Sequence, residues 1–307
     1  MFNAIGSAMF GQTNNEQGSK EEFQVAFGSG RYDFPSFLIA MDPRYTLQFH
    51  LMTRRRLVTT VAVAPLAASA ATMPKNQVYE LRKYHLRNTP DNQRQRTTQY
   101  MEKAVMPAFR RAGVSQVGFF SSMIAPDTPF LLSVYAHASL SAYEEAHAKV
   151  GADAEFVKLQ TAFFSQPGLN FMRYETSILR AFDGMPTMEI PEPGKAPRVF
   201  ELRTYESNNN MTLRKKVGMF NDGEIAIFRK TGLNPLFFGT TAIGGNQPSL
   251  TYMLWYDDLA TREKNWRTFG GHPDWNKLKA TPGLSDAEIV SNISNIILLP
   301  LPFSPIR

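Results

Sequence analysis

The stretch Val78-Tyr79-Glu80-Leu81-Arg82-Lys83-Tyr84 returns 121 residues later as Val199-Phe200-Glu201-Leu202-Arg203-Thr204-Tyr205. Successive side chains on an extended strand leave on opposite faces. Tyr79 and Leu81 therefore share one face with Phe200 and Leu202, while Glu80, Arg82 and Tyr84 share the other with Glu201, Arg203 and Tyr205. The apolar face calls for a cover of helices. The Glu-x-Arg-x-Tyr face is too polar for an ordinary core yet occurs twice, which predicts that it lines a shared, partly hydrated interior.

Working outward, Phe109 and Phe228, Gly113 and Gly232, Leu140 and Leu259, and Lys158 and Lys277 each lie 119 residues apart. A constant step across unlike elements predicts a duplication whose second copy is two residues shorter in its first loop. In the first copy the patterns predict strands over 77–85, 116–124, 130–137 and 170–179, with helices over 92–112, 141–150 and 156–164. Pro107 should kink the first helix or start a new one. Gly113 should end it, and Ser141 with Glu144 reads as a capping box. The second copy gives strands over 197–206, 235–242, 249–257 and 288–298, and helices over 211–231 and from 260. Each copy thus has the ferredoxin-like order, and a sheet with helices on one face needs a partner for the other. The expected fold class is α+β: two tandem ferredoxin-like units, 75–182 and 197–307, joined by a proline-rich linker at 183–196 and closed into an intramolecular dimeric α/β barrel.

Lys plus Arg exceeds Asp plus Glu by six without a dense basic block. That excess speaks of solubility and predicts no nucleic-acid partner. The absence of cysteine excludes disulfides, thiol catalysis and zinc-thiolate sites. Near the amino terminus, Thr53-Arg54-Arg55-Arg56-Leu57-Val58 leads an apolar run to Ala71 that contains Ala68-Ser69-Ala70. Basic start, short apolar middle and small residues read as an export signal over 52–72 of the twin-arginine type. The run is too short to span a membrane, so no stable membrane span is expected. Residues 1–51 lack sustained periodicity and read as a disordered or mis-assigned upstream leader. The expected destination is exported, periplasmic or secreted.

Val199 to Tyr205, Leu254-Trp255-Tyr256-Asp257-Asp258-Leu259 with Arg262-Glu263 and Trp266, His272-Pro273-Asp274-Trp275, and Pro302-Phe303-Ser304-Pro305 resemble the NIPSNAP family. The resemblance runs over about 77–305 and is strongest in the second half. It implies a dimeric α/β barrel of the kind found in small monooxygenases, and brings no agreed catalytic set with it. Where the second half has Gly270-Gly271-His272-Pro273-Asp274-Trp275, the first has Gly151-Ala152-Asp153-Ala154-Glu155-Phe156. This asymmetry suggests that one half keeps a site while the other completes the barrel.

Glu80, Arg82, Tyr84, Glu201, Arg203 and Tyr205 are the candidate ligand-binding residues: an arginine can anchor a carboxylate or enolate while a tyrosine donates a hydrogen bond. The plainer reading is that the Glu and Arg side chains satisfy each other. His272, between Gly271 and Pro273, is a candidate base or a turn cap. His85, His137 and His147 lack counterparts in the other half and suggest no metal site. Phe119, Phe120, Phe237, Phe238, Trp255, Trp266 and Trp275 read as core and barrel wall. No phosphate loop, dinucleotide fingerprint or nucleophile elbow is present, and no cofactor is expected.

These observations favour a protein that binds a small, partly apolar ligand in the barrel interior. Two alternatives stand beside it: a cofactor-free monooxygenase or isomerase using Arg203, Tyr205 and His272, and a structural protein with a filled barrel. An intramolecular barrel removes the need for a second chain without forbidding a homo-oligomer. Mass spectrometry of protein recovered from an exporting host should find a mature chain beginning just after Ala70; a chain retaining Arg54-Arg55 would count against the export signal.

Overall fold

The computed structural model describes residues 76–192, 194 and 198–307. The leader and export signal expected over 1–72 lie outside the described residues. Four strands of the first half, β1 (Val78–His85), β2 (Val117–Ile124), β3 (Phe130–His137) and β4 (Arg173–Ala181), are followed by β5 (Val199–Glu206), β6 (Asn234–Ile243), β7 (Ser249–Tyr256) and β8 (Asn292–Pro300). They close one antiparallel barrel in the order β1-β3-β2-β8-β5-β7-β6-β4. Each half supplies a four-strand sheet, and the halves join edge to edge where β2 pairs β8 and β4 pairs β6. Closure leaves no free sheet edge. At the β4–β6 seam, Gly239 keeps the strands close, since a Cβ there would stand 2.8 Å from Leu179 Cβ.

Helices cover the outside. In the first half α1 (Gln93–Tyr100) runs through a π-helical turn at Met101–Val105 into α2 (Met106–Arg111), and α3 (Leu140–Ala152) and α4 (Ala154–Phe164) follow β3. The second half repeats this with α5 (Asn210–Met219), a π-helical turn at Phe220–Glu224, α6 (Ile225–Lys230), α7 (Leu259–Gly271), α8 (Pro273–Lys279) and a short α9 (Asp286–Ile289). Pro107 falls in the first turn of α2, just past the π-helical turn that interrupts the helix. Gly113 follows α2 with φ +94°. The predicted capping box at Ser141 is displaced: Ser139 caps α3 by accepting from the Ala142 amide. Glu288, expected in the last strand, is helical, and the strand starts at Asn292. Among the described residues no helix is long and apolar enough to cross a membrane.

The facing of the repeat is the reverse of the expectation. Tyr79, Leu81, Phe200 and Leu202 point into the barrel, where they pack with Phe120, Phe237, Met253 and Leu298. Glu80, Arg82, Tyr84, Glu201, Arg203 and Tyr205 point outward, beneath the helices of their own half. Tyr84 belongs to the first half's helix-covered core and Tyr205 to the second's. Both faces of these strands are covered, so alternation alone could not tell interior from exterior. Charge decides: buried ions need partners, and the barrel at this level offers rings and aliphatic groups, whereas the helices bring His, Arg and Trp donors. Towards the far end of the barrel a cavity of about 230 Å³ remains, floored by leucines and rimmed by Lys83, Glu175, Thr204 and Thr251.

Aromatic contacts inside the barrel join the halves: Phe120 to Phe200 and Tyr79 to Phe237, each with ring centroids 4.9 Å apart. Deleting a fully buried ring leaves a void as well as lost transfer energy. Phe200→Ala should therefore cost about 3–5 kcal/mol in urea unfolding; a loss under about 1 kcal/mol would mean that the interior is not tightly packed at this level.

Candidate functional site

Glu80 has no exposure to solvent, although it is a charged residue in mid-strand. Its Oε1 accepts a hydrogen bond from Arg82 Nη2 at 2.6 Å. Its Oε2 lies 2.8 Å from His147 Nε2 and 3.4 Å from His137 Nε2. β1 supplies the carboxylate and guanidinium two residues apart on one face, the neighbouring β3 supplies His137, and α3 lays His147 across them. Burial pushes the Glu80 carboxyl up, but the two histidine hydrogen bonds and the Arg82 charge outweigh it and hold the group down to about 2. Burial works against the Arg82 charge too, yet Tyr84 and Glu80 beside it raise the guanidinium further above its ordinary range. Arg82 Nε and the fully buried Tyr135 hydroxyl have no partner among the described residues.

A cavity of about 460 Å³ opens between β1 and these helices, within the size range of small-molecule sites. Arg82, Tyr84 and His147 give it a polar side, and Tyr100, Phe109 and Tyr174 are among the rings that wall it. The Tyr174 ring lies 5.2 Å from the Arg82 guanidinium. The arrangement can hold a planar apolar molecule and meet an anionic oxygen with fixed positive charge. Among the described residues no group of three His, Asp or Glu side chains is placed to hold a metal ion.

The second half carries the same carboxylate in a closed setting. Glu201 Oε2 accepts from Trp266 Nε1 at 2.8 Å, from the Tyr256 hydroxyl at 2.9 Å and from Arg262 Nε at 3.0 Å. Its Oε1 accepts from Arg262 Nη2 at 2.6 Å and from Arg203 Nη1 at 3.1 Å. Burial raises the Glu201 carboxyl, and the hydrogen bonds from Arg262 and Trp266 with the Arg203 charge bring it below its usual range. The Trp266 ring lies 4.6 Å from the Arg203 guanidinium. The 119-residue step sets Trp266 against His147, Arg262 against Tyr143, Phe269 against Val150 and Glu224 against Val105. Trp266 and Phe269 are thus larger than His147 and Val150, the residues that line the first half's cavity at the matching positions. Lys216 and Glu224 are also buried here and ion-paired at 3.1 Å, and burial pushes the Glu224 carboxyl up to about 7 in spite of the lysine.

The residues expected to act together are therefore divided between the halves. Glu80, Arg82 and Tyr84 meet the first cavity's machinery. Arg203 and Tyr205 share a 3.3 Å hydrogen bond in the second half, with Tyr252 donating to the Tyr205 hydroxyl. His272 joins neither: it caps α8, its Nδ1 accepting from the Asp274 amide. His137 and His147, set aside in the sequence for want of counterparts, are the residues that complete the first site. Their signal was present, since the step of 119 aligns them with Tyr256 and Trp266, the donors to the other carboxylate.

The depressed Glu80 carboxyl has a definite sign. Its stabilisation is present in full above the unfolded midpoint of 4.5 and fades as pH falls towards 2. The shift corresponds to roughly 3 kcal/mol. Acid unfolding of the wild-type protein should therefore steepen across this window, and Glu80→Gln should flatten it; identical acid profiles would show that Glu80 is not held as an ion.

Residues 200–305 match the NIPSNAP family model, and no curated protein matches the sequence. Among solved structures, an uncharacterised NIPSNAP-like domain protein from Burkholderia xenovorans is 25% identical, over 35% of this chain and 89% of its own, with a TM-score of 0.32. A NIPSNAP family protein of unknown function from Agrobacterium tumefaciens is 17% identical, over 38% and 100%, with a TM-score of 0.33. A Lactobacillus acidophilus protein assigned provisionally as a monooxygenase is 12% identical, over 73% and 94%, with a TM-score of 0.49. The family match thus falls on the second half of the closed eight-strand barrel, from β5 to the carboxyl-terminal end of the chain.

Proposed function

We propose that the first half's sheet–helix cavity binds a small, largely aromatic molecule carrying an acidic oxygen. The observation that carries this reading is a half-buried, permanently charged Arg82 bordering a cavity of about 460 Å³ that is otherwise walled largely by rings. An arginine suits such an oxygen because its fork of donors stays charged and planar. The reading moves the ligand out of the barrel interior, where the charged face had been expected, and into one half only. Glu80 and Tyr84 keep their places beside Arg82, whereas Glu201, Arg203 and Tyr205 serve to hold the second half together. The export signal at 52–72 supports a protein that meets this ligand outside the cytoplasm.

The comparison between halves supplies the test. His147→Trp reproduces the residue that donates to Glu201 in the second half, so it should keep the fold and fill the cavity. Titrating hydroxylated and carboxylated aromatics by calorimetry should show binding to the wild type, at least a tenfold loss in Arg82→Met, and none in His147→Trp. Unchanged affinity in His147→Trp, with the wild-type melting temperature retained, would move the ligand to another site.

A further inference from the structure

We infer that His147 is the base of this cavity, taking the proton from the hydroxyl of a bound phenol or enol so that the ligand is held as its oxyanion against Arg82. The inference rests on the binding site just described and adds the chemistry of its occupant. It begins with Glu80, whose ionised carboxylate can only accept hydrogen bonds. His147 turns Nε2 to that carboxylate at 2.8 Å, so Nε2 carries the hydrogen, and in the neutral ring Nδ1 keeps its lone pair. The other half supports the direction of this bond. At the matching position Trp266 contacts Glu201 at the same distance through Nε1–H, which can only donate.

Carboxylate and donor are therefore common to both halves, and what the first half adds is a second ring nitrogen. An indole can fill and position; an imidazole held in one tautomer can also accept a proton. Nδ1 has no hydrogen-bond partner among the described residues, and His147 lines the cavity beside Arg82. The charged and titratable groups around it are Glu80 and Arg82 on β1, His137 and Tyr135 on β3, Tyr143 one turn back on α3, whose ring centroid is 4.5 Å from that of His147, and Tyr174 on β4.

The step balances without any other reactant. The ligand's O–H bond breaks, its electron pair stays on the oxygen facing Arg82, and the proton goes to Nδ1. The resulting imidazolium lies between Glu80 and the oxyanion, so the site holds two positive and two negative charges. Glu80 acts as a positioning residue, fixing the tautomer and stabilising the imidazolium.

The test uses the full-length chain and 3-nitrophenol, whose anion absorbs at longer wavelength than its neutral form. At about pH 7.5 the free probe is mostly neutral. The bound probe should show the anion spectrum, while calorimetry in two buffers of different ionisation enthalpy should show almost no proton passing to buffer. His147→Gln keeps an N–H for Glu80 and removes the basic nitrogen; its bound probe should stay neutral, or become an anion only by releasing a proton to buffer. A neutral probe in the wild type, or a wild-type anion that forms with release of about one proton, would overturn the base and leave the binding site standing. No binding at all would overturn both.

Discussion

Two carboxylates placed where no water reaches them are the constraint on which the rest of this structure depends. Glu80 and Glu201 sit at the same point of a repeated strand, each fully buried under a layer of helices. An uncompensated charge there would cost about 3–5 kcal/mol, a large share of the roughly 5–15 kcal/mol that holds an ordinary domain folded. Each half must therefore bring donors to one spot from the strand itself, from its neighbour and from the helix above. That requirement fixes the rotation of α3 and α7 about their axes as firmly as their apolar contacts do. It also explains why the charged face turns outward, since only on that side do helices add donors to those of the strands.

The barrel interior answers a different need. Each four-strand sheet has its second face left bare by its own helices, and rings from the two halves meet across the axis to cover it. Phe120 with Phe200 and Tyr79 with Phe237 are contacts that neither half can make alone. Stability is therefore shared through the interior, while polar chemistry is private to each half. This separation lets one half change its site without disturbing the barrel.

The two sites show such a change. The same carboxylate and the same two-residue step to arginine are kept, but the surrounding donors differ in size and in chemistry. Trp266 and Arg262 hydrogen-bond Glu201 in the second half, with Phe269 packed against Trp266, whereas the smaller His147 and Val150 line a cavity in the first. The half with the stronger family signature is thus the closed one. The open cavity lies in the half whose sequence departs from that signature.

The primary structure by itself determined the repeated element order, the ferredoxin-like halves and the closed barrel, because a period of two in strands, glycine stops after helices and a constant step between copies are local signals. Those signals also singled out Glu80, Arg82 and Tyr84 as residues too polar to be ordinary core. Tertiary structure alone decided which face of β1 and β5 looks inward, because both faces are buried and only the partners offered by other elements distinguish them. It alone brought His137 and His147 to Glu80 from 57 and 67 residues away and set His272 aside as a helix cap. A charge is placed by the groups it can reach in space, and those are not its neighbours in the chain.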